Sequence, residues 1–183
     1  MKARCKIIAM ASTLLVFASG FLHSGRSVSA ASTGQIVGTV RLDGQAPHRK
    51  PIDMSKDPSC TETGVGTRAT VENVVVGSKG ELANVVVYIS QGLTGNEGGT
   101  RSEPVILDQK GCQYVPHVVA VDVGQHMKIM NSDKTAHNIH PEPKPGSGNN
   151  QWNKSQLAGT SPIDITWSNE EIAIPVKCNI HPL

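Results

Sequence analysis

The feature that most constrains the fold is the absence of any helix-length periodicity after residue 30. Apolar residues recur there in short runs rich in Val, Ile and Thr, and Gly, Pro, Asn and Asp separate these runs. Such a pattern is typical of strands in an all-β sandwich. We predict loops over residues 91–101 and 141–150 from their turn-forming composition. Strands are predicted over residues 35–42, 70–76, 82–89, 105–107, 118–123, 126–130, 163–167 and 171–178.

The first 30 residues have the order of an export signal. Lys2, Arg4 and Lys6 precede an apolar run over residues 7–22, and small residues follow at 28–31. This order predicts a secretory signal peptide cleaved after Ala30, and hence a periplasmic or secreted protein. The segment contains four basic residues and no acidic residue, so its removal changes the formal net charge from +2 to −2. The basic balance of the full chain therefore does not indicate a nucleic-acid partner.

Residues 31–183 have the length of a single domain. They contain no second long apolar run, so we expect no membrane span after signal cleavage. No Ser-His-Asp set and no pair of carboxylates occurs in a recognisable catalytic context. We therefore expect a protein that is not an enzyme.

The exported part of the chain carries an odd number of cysteines, namely Cys60, Cys112 and Cys178. An oxidising compartment favours disulfides. The economical arrangement pairs Cys60 with Cys112 and leaves Cys178 for other chemistry. A disulfide between Cys178 and one of the other two stays an alternative, because spacing does not determine connectivity.

A possible metal-binding set lies in two segments, NSDKTAHNIH at residues 131–140 and CNIH at residues 178–181. One thiolate with two imidazoles selects a soft or borderline transition metal, and His₂Cys with a weak axial ligand is the blue-copper arrangement. Cys178 and His181 can reach one ion from a tight loop, and a sandwich can bring His137 beside them. His140 is a possible alternative ligand, although its odd separation from His137 places it on the opposite face of a strand. The plainer alternatives are a chance Cys-His pair and a hydrogen-bonded loop histidine.

These motifs resemble those of the cupredoxins, plastocyanin in particular. The likeness is closer to periplasmic cupredoxin-like proteins described as methylamine utilisation proteins. It covers nearly all of residues 31–183 and implies a Greek-key β-sandwich of cupredoxin type. The matching stretches are GTVRLDGQAP at 38–47, LANVVVY at 82–88, KGCQYVPHV at 110–118, NSDKTAHNIH at 131–140 and VKCNIHP at 176–182.

The resemblance implies one type-1-like copper ion held by His137, Cys178 and His181. Asn138, next to the first ligand, would hold the two ligand loops together through hydrogen bonds. The implied function is the transfer of single electrons between redox partners such as a cytochrome or a dehydrogenase-like protein. Electrons would then pass through an exposed edge of His181.

The chain departs from the family at its last residues. Relatives continue through Pro-Trp-Met, in which Met is the weak axial ligand, and then through a further strand. Here Pro182 and Leu183 follow, and no Met lies after Cys178. We expect a C-terminally truncated reading frame that lacks the last strand, with a Met-free copper site as the alternative.

Two other functions stay open on the sequence. One is a copper-binding carrier or storage protein without a redox role. The other is a metal-free β-sandwich interaction module, because GTVRLDGQAP also resembles the strand and turn of carboxypeptidase regulatory-like domains. Replacing Cys178 would leave metal content unchanged only in the second case.

Overall fold

The structure is a computed structural model that describes residues 3–7, 36–54, 58–62, 69–92 and 100–181. The chain forms two compact units, Met1–Ala46 with Val76–Ala83, and Pro47–Val75 with Asn84–Leu183. In the described residues, strands predominate and one short helix occurs. The predicted all-β class is therefore confirmed. None of the described helices is long and apolar enough to cross a membrane.

The first unit contains a two-stranded antiparallel sheet. Strand β1 (Ala3–Ile7) pairs with strand β2 (Gly38–Leu42), which confirms part of the strand predicted over 35–42. Leu42 donates its backbone N–H to the Gly80 carbonyl, and Leu82 donates to Val40. Most of the predicted signal peptide lies outside the described residues. Cleavage after Ala30 would remove β1 and leave β2 without this partner.

The second unit contains α1 (Pro58–Glu62), β3 (Val105–Lys110), β4 (Gln113–Val115), β5 (Met127–Asn131), β6 (His137–Pro141), β7 (Lys154–Gln156), β8 (Ile163–Ile165) and β9 (Val176–Lys177). Its strands form two sheets. The larger has the order β4-β3-β5-β8, in which β3 and β5 are parallel and the other pairs are antiparallel. The smaller has the antiparallel order β7-β6-β9.

Side chains from both sheets of this unit build one apolar core. Strand β5 confirms most of the strand predicted over 126–130, and within it Met127 and Ile129 are buried while Lys128 between them is exposed. Ile139 of β6 joins them in the same cluster. The arrangement is thus sandwich-like, and burial of apolar area is its main stabilising contribution.

A smaller apolar cluster surrounds a disulfide between Cys60 and Cys112, which confirms the predicted pairing. Met54 and Ala69 are the other buried members. Cys112 lies in the turn between β3 and β4, where Gly111 and Cys112 both have positive φ angles, 66° and 58°. Positive φ is uncommon for a residue with a side chain, so this turn has an unusual backbone shape.

Several predicted strands differ from the structure. Residues 70–76 and 82–89 form isolated bridges rather than ladders, and Val85–Ile89 are 44–61% exposed. Local β propensity is insufficient there, because a strand also needs a neighbour to pair with. Residues 118–123 form no ladder, although Val119 and Val121 pack on the core. Strand β6 was not predicted, because its residues HNIHP have low strand propensity.

Candidate metal centre

The smaller sheet brings the three residues of the predicted metal site together. His137 is the first residue of β6, and Cys178 directly follows β9. These two strands pair antiparallel with His140 opposite Lys177, so the start of β6 lies near the end of β9. The chain then bends after β9 and returns His181 to the same place.

The three side chains form a compact triangle of donor atoms. Cys178 Sγ lies 3.9 Å from His137 Nδ1 and 3.8 Å from His181 Nδ1, and the two nitrogens are 2.8 Å apart. The sum of typical metal–sulfur and metal–nitrogen bond lengths is about 4.3 Å, which exceeds both sulfur–nitrogen distances. One ion can therefore contact all three atoms. The donor set of one thiolate and two imidazoles fits copper.

Asn138 ties the two ligand segments to each other. Its Oδ1 accepts hydrogen bonds from the backbone N–H groups of Asn179, at 2.7 Å, and Ile180, at 3.2 Å. The Cys178 thiol lies 3.5 Å from the same oxygen. Asn138 Nδ2 donates to Asn153 Oδ1 at 2.6 Å, just before β7. The amide of Asn138 therefore fixes the loop that carries Cys178 and His181 against β6.

Asp133 is a buried partner of His137 that our sequence analysis missed. Its Oδ2 lies 2.9 Å from His137 Nε2, and both side chains are almost completely buried. The backbone N–H groups of Gly111 and Cys112 donate to the same carboxylate at 2.7 and 2.8 Å. A carboxylate on the outer nitrogen of a histidine fixes its tautomer and orientation for metal binding. The available signal was an acidic residue four positions before the histidine.

The charges within the site favour a thiolate. Burial raises the pKa of Cys178, but hydrogen bonds from His137 and from the backbone of neighbouring residues outweigh it and lower the pKa from 9.0 to about 6. Burial lowers the pKa of His137, whereas Cys178 and Asp133 raise it, with a net upward shift. Cys178 is thus ionised at neutral pH. Thiolate is the form that binds metal ions.

The Tyr114 hydroxyl bridges the two strands that carry the ligands. Its hydroxyl lies 2.7 Å from the carbonyl oxygen of Asn138 in β6 and 3.0 Å from that of Lys177 in β9. Burial, and then the negative charge of Cys178, raise the pKa of Tyr114. The phenol therefore stays protonated and available as a donor at neutral pH.

His140 lies apart from the donor triangle. Its Nδ1 is 3.0 Å from Asn179 Oδ1, and its Nε2 is 2.7 Å from Gln151 Nε2. It is absent from every group of metal-binding side chains found in the described residues. Its contact with Asn179 supports the loop between Cys178 and His181 instead.

His181 is less accessible than the sequence implied. Only 4% of its surface is exposed, so the expected exposed edge is wrong. The apolar residue beside it, Ile180, is 49% exposed. The tight turn after Cys178 directs the imidazole inward against His137, with ring centroids 4.6 Å apart.

The disulfide borders the donor triangle. Ligand atoms of Cys60, Cys112 and His181 all lie within 4.8 Å of one another, and so do those of Cys112, Asp133 and His137.

The chain matches no protein-family model, and comparisons with curated proteins and with solved structures give no match.

Proposed function

We propose that this chain is a type-1-like copper protein that carries single electrons between redox partners in the periplasm or outside the cell. The observation that carries the proposal is the triangle of His137, Cys178 and His181. The proposal includes a Greek-key cupredoxin topology for the sandwich. Bound copper would supply a one-electron redox couple.

The surrounding residues suit a rigid centre. The Asp133 carboxylate accepts a hydrogen bond from Nε2–H of His137, which leaves the Nδ1 lone pair for the ion. Asn138 holds the Cys178 loop through backbone hydrogen bonds, so the donor atoms keep their positions when the charge of the site changes. Burial of both imidazoles keeps water from the site. A redox partner would approach through the surface around the exposed Ile180.

The direct test adds Cu(II) to the exported protein, purified after removal of the signal peptide. The proposal predicts an intense blue thiolate-to-copper band and a reversible voltammetric couple. Cys178→Ser removes the band because it removes the thiolate. His126→Ala is the control, since that histidine is exposed and contacts Asp164 rather than the donor triangle.

Other outcomes identify the other functions. Tight Cu(I) binding without a reversible couple would indicate a copper carrier or storage protein. Metal content that Cys178→Ser leaves unchanged would indicate a metal-free interaction module. A colourless wild-type chain that retains no copper would refute the proposed centre.

A further inference from the structure

The disulfide and His181 form a second group of donor atoms beside the copper triangle. Cys60 and Cys112 are 0% and 4% exposed, and His181 is 4% exposed, so all three are shielded from solvent. The two sulfurs and a ring nitrogen of His181 lie within 4.8 Å of one another. The proposed copper set uses neither of these sulfurs.

This spacing is close to what a single metal ion requires. Two sulfur ligands of one zinc ion lie at most about 4.6 Å apart, and a sulfur and a nitrogen ligand about 4.4 Å apart. Sulfurs joined in a disulfide are poor ligands, because the thiolate is the form that binds metals. Reduction would therefore convert a crosslink into two ligands without a large movement of the chain.

We propose that reduction of the Cys60–Cys112 disulfide creates a second metal site, in which Cys60, Cys112 and His181 bind a thiophilic d¹⁰ cation such as Zn²⁺. A dithiol reductant supplies two electrons and two protons. The sulfur–sulfur bond breaks, two thiols form, and the reductant closes to its own disulfide through thiol–disulfide exchange. On metal binding, each thiol releases its proton to solvent.

Charge favours a divalent ion at this site. Two thiolates and a neutral imidazole carry a charge of −2, so a divalent cation gives a neutral site, whereas a monovalent cation leaves a net negative charge. Uncompensated charge is costly in a buried site. The carboxylate of Asp133, whose oxygen lies within 4.8 Å of the Cys112 sulfur, adds negative potential in the same place. Zn²⁺ is therefore the probe of choice.

The test uses the exported protein, without its signal peptide, that carries Cys178→Ser. This variant cannot form the copper triangle. The chain is reduced with dithiothreitol, freed of reductant without oxygen, and incubated with Zn²⁺. We expect about one Zn²⁺ per reduced chain and none on the oxidised chain. Bound Zn²⁺ should also protect Cys60 and Cys112 from alkylation.

Two further variants in the same background show which residues bind the ion. Cys112→Ser removes one thiolate and His181→Ala removes the imidazole. Each should weaken Zn²⁺ binding about tenfold or more, since even the loss of an outer partner of a ligand has effects of this size. His126→Ala is the matched control and should leave the binding unchanged.

Thermal unfolding distinguishes a folded site from cysteines of an unfolded chain. Zn²⁺ should raise the unfolding temperature of the reduced Cys178→Ser chain, because it binds the folded state. The rise should be clearly smaller when His181→Ala is added, because binding to the folded state is then weaker. Zn²⁺ binding that is independent of His181, or no binding by the reduced chain, would overturn the proposal. A wild-type chain without the blue band would refute the copper function and leave this result standing.

Discussion

Strand β6 carries two histidines in very different surroundings. His137 is buried, contacts Asp133 through Nε2 and faces Cys178 and His181 with Nδ1. His140 is partly exposed, and both of its nitrogens contact neutral amides. The same side chain on the same strand can thus be a metal ligand at one end and a loop support at the other. Burial and a carboxylate partner make the difference.

Replacing each histidine in turn should give the largest difference in copper binding between the two positions. His137→Ala should abolish the blue band and weaken copper binding by more than about 100-fold, because it deletes a ligand rather than an outer partner. His140→Ala should retain the band. Competition with a chelator measures both affinities. Equal losses in the two variants would show that His140 contributes a ligand.

Ile139 lies between the two histidines on the same strand and is 1% exposed. Ile139→Ala should lower the free energy of unfolding by about 2–5 kcal/mol, because it leaves a cavity in the sheet core. Urea denaturation of the metal-free chain measures this value. Ile172→Ala, at a position that is 47% exposed, should change it by about 0.5 kcal/mol or less. Similar values for both would place Ile139 outside the core.

Loss of Asp133, the partner of His137, should affect copper binding more than loss of Gln151, the partner of His140. Asp133→Asn should weaken copper binding about 10- to 100-fold and shift the absorption band, because His137 loses its charged acceptor. Gln151→Ala removes the corresponding contact of His140 and should do neither. Isothermal titration and absorption spectra check both variants. An unchanged spectrum in Asp133→Asn would assign that carboxylate a purely structural role.

The pKa of the Cys178 thiol should depend on His137 but not on His140. Alkylation of Cys178 in the metal-free exported chain should show a midpoint near pH 6, because its pKa is lowered to about 6. His137→Ala should move that midpoint upward, and His140→Ala should not. Since the folded-state pKa lies below 9.0, ionisation of Cys178 stabilises the fold fully above pH 9, and this contribution is lost as pH falls through 6. Urea denaturation across this range would detect the loss.

Local sequence patterns predicted the features that depend on residues close together in the chain. A short apolar run indicated the β5 region, and cysteine counting indicated the disulfide. The odd separation of His137 and His140 predicted that they would have different environments. The grouping of His137 with Cys178 and His181 followed from residue types and motif resemblance.

Other features depend on contacts between distant segments. The role of Asp133 depends on the turn at Gly111 and Cys112, whose two N–H groups hold the carboxylate in place. Val85–Ile89 have the composition of a strand but find no ladder partner in the described part of the chain. The burial of His181 depends on how the final turn packs against His137. None of these three features can be inferred from a short stretch of the sequence.

The contacts of Asp133 also bear on the order in which parts of the site form during folding. Among the described residues, Asp133 forms hydrogen bonds with Gly111, Cys112, Asn131 and His137, all of which precede the segment that carries Cys178. We therefore expect the Asp133–His137 pair to form before the segment that carries Cys178 packs against it. Slow hydrogen exchange at the Gly111 and Cys112 amides in a chain shortened after β8 would support this order, and fast exchange would contradict it.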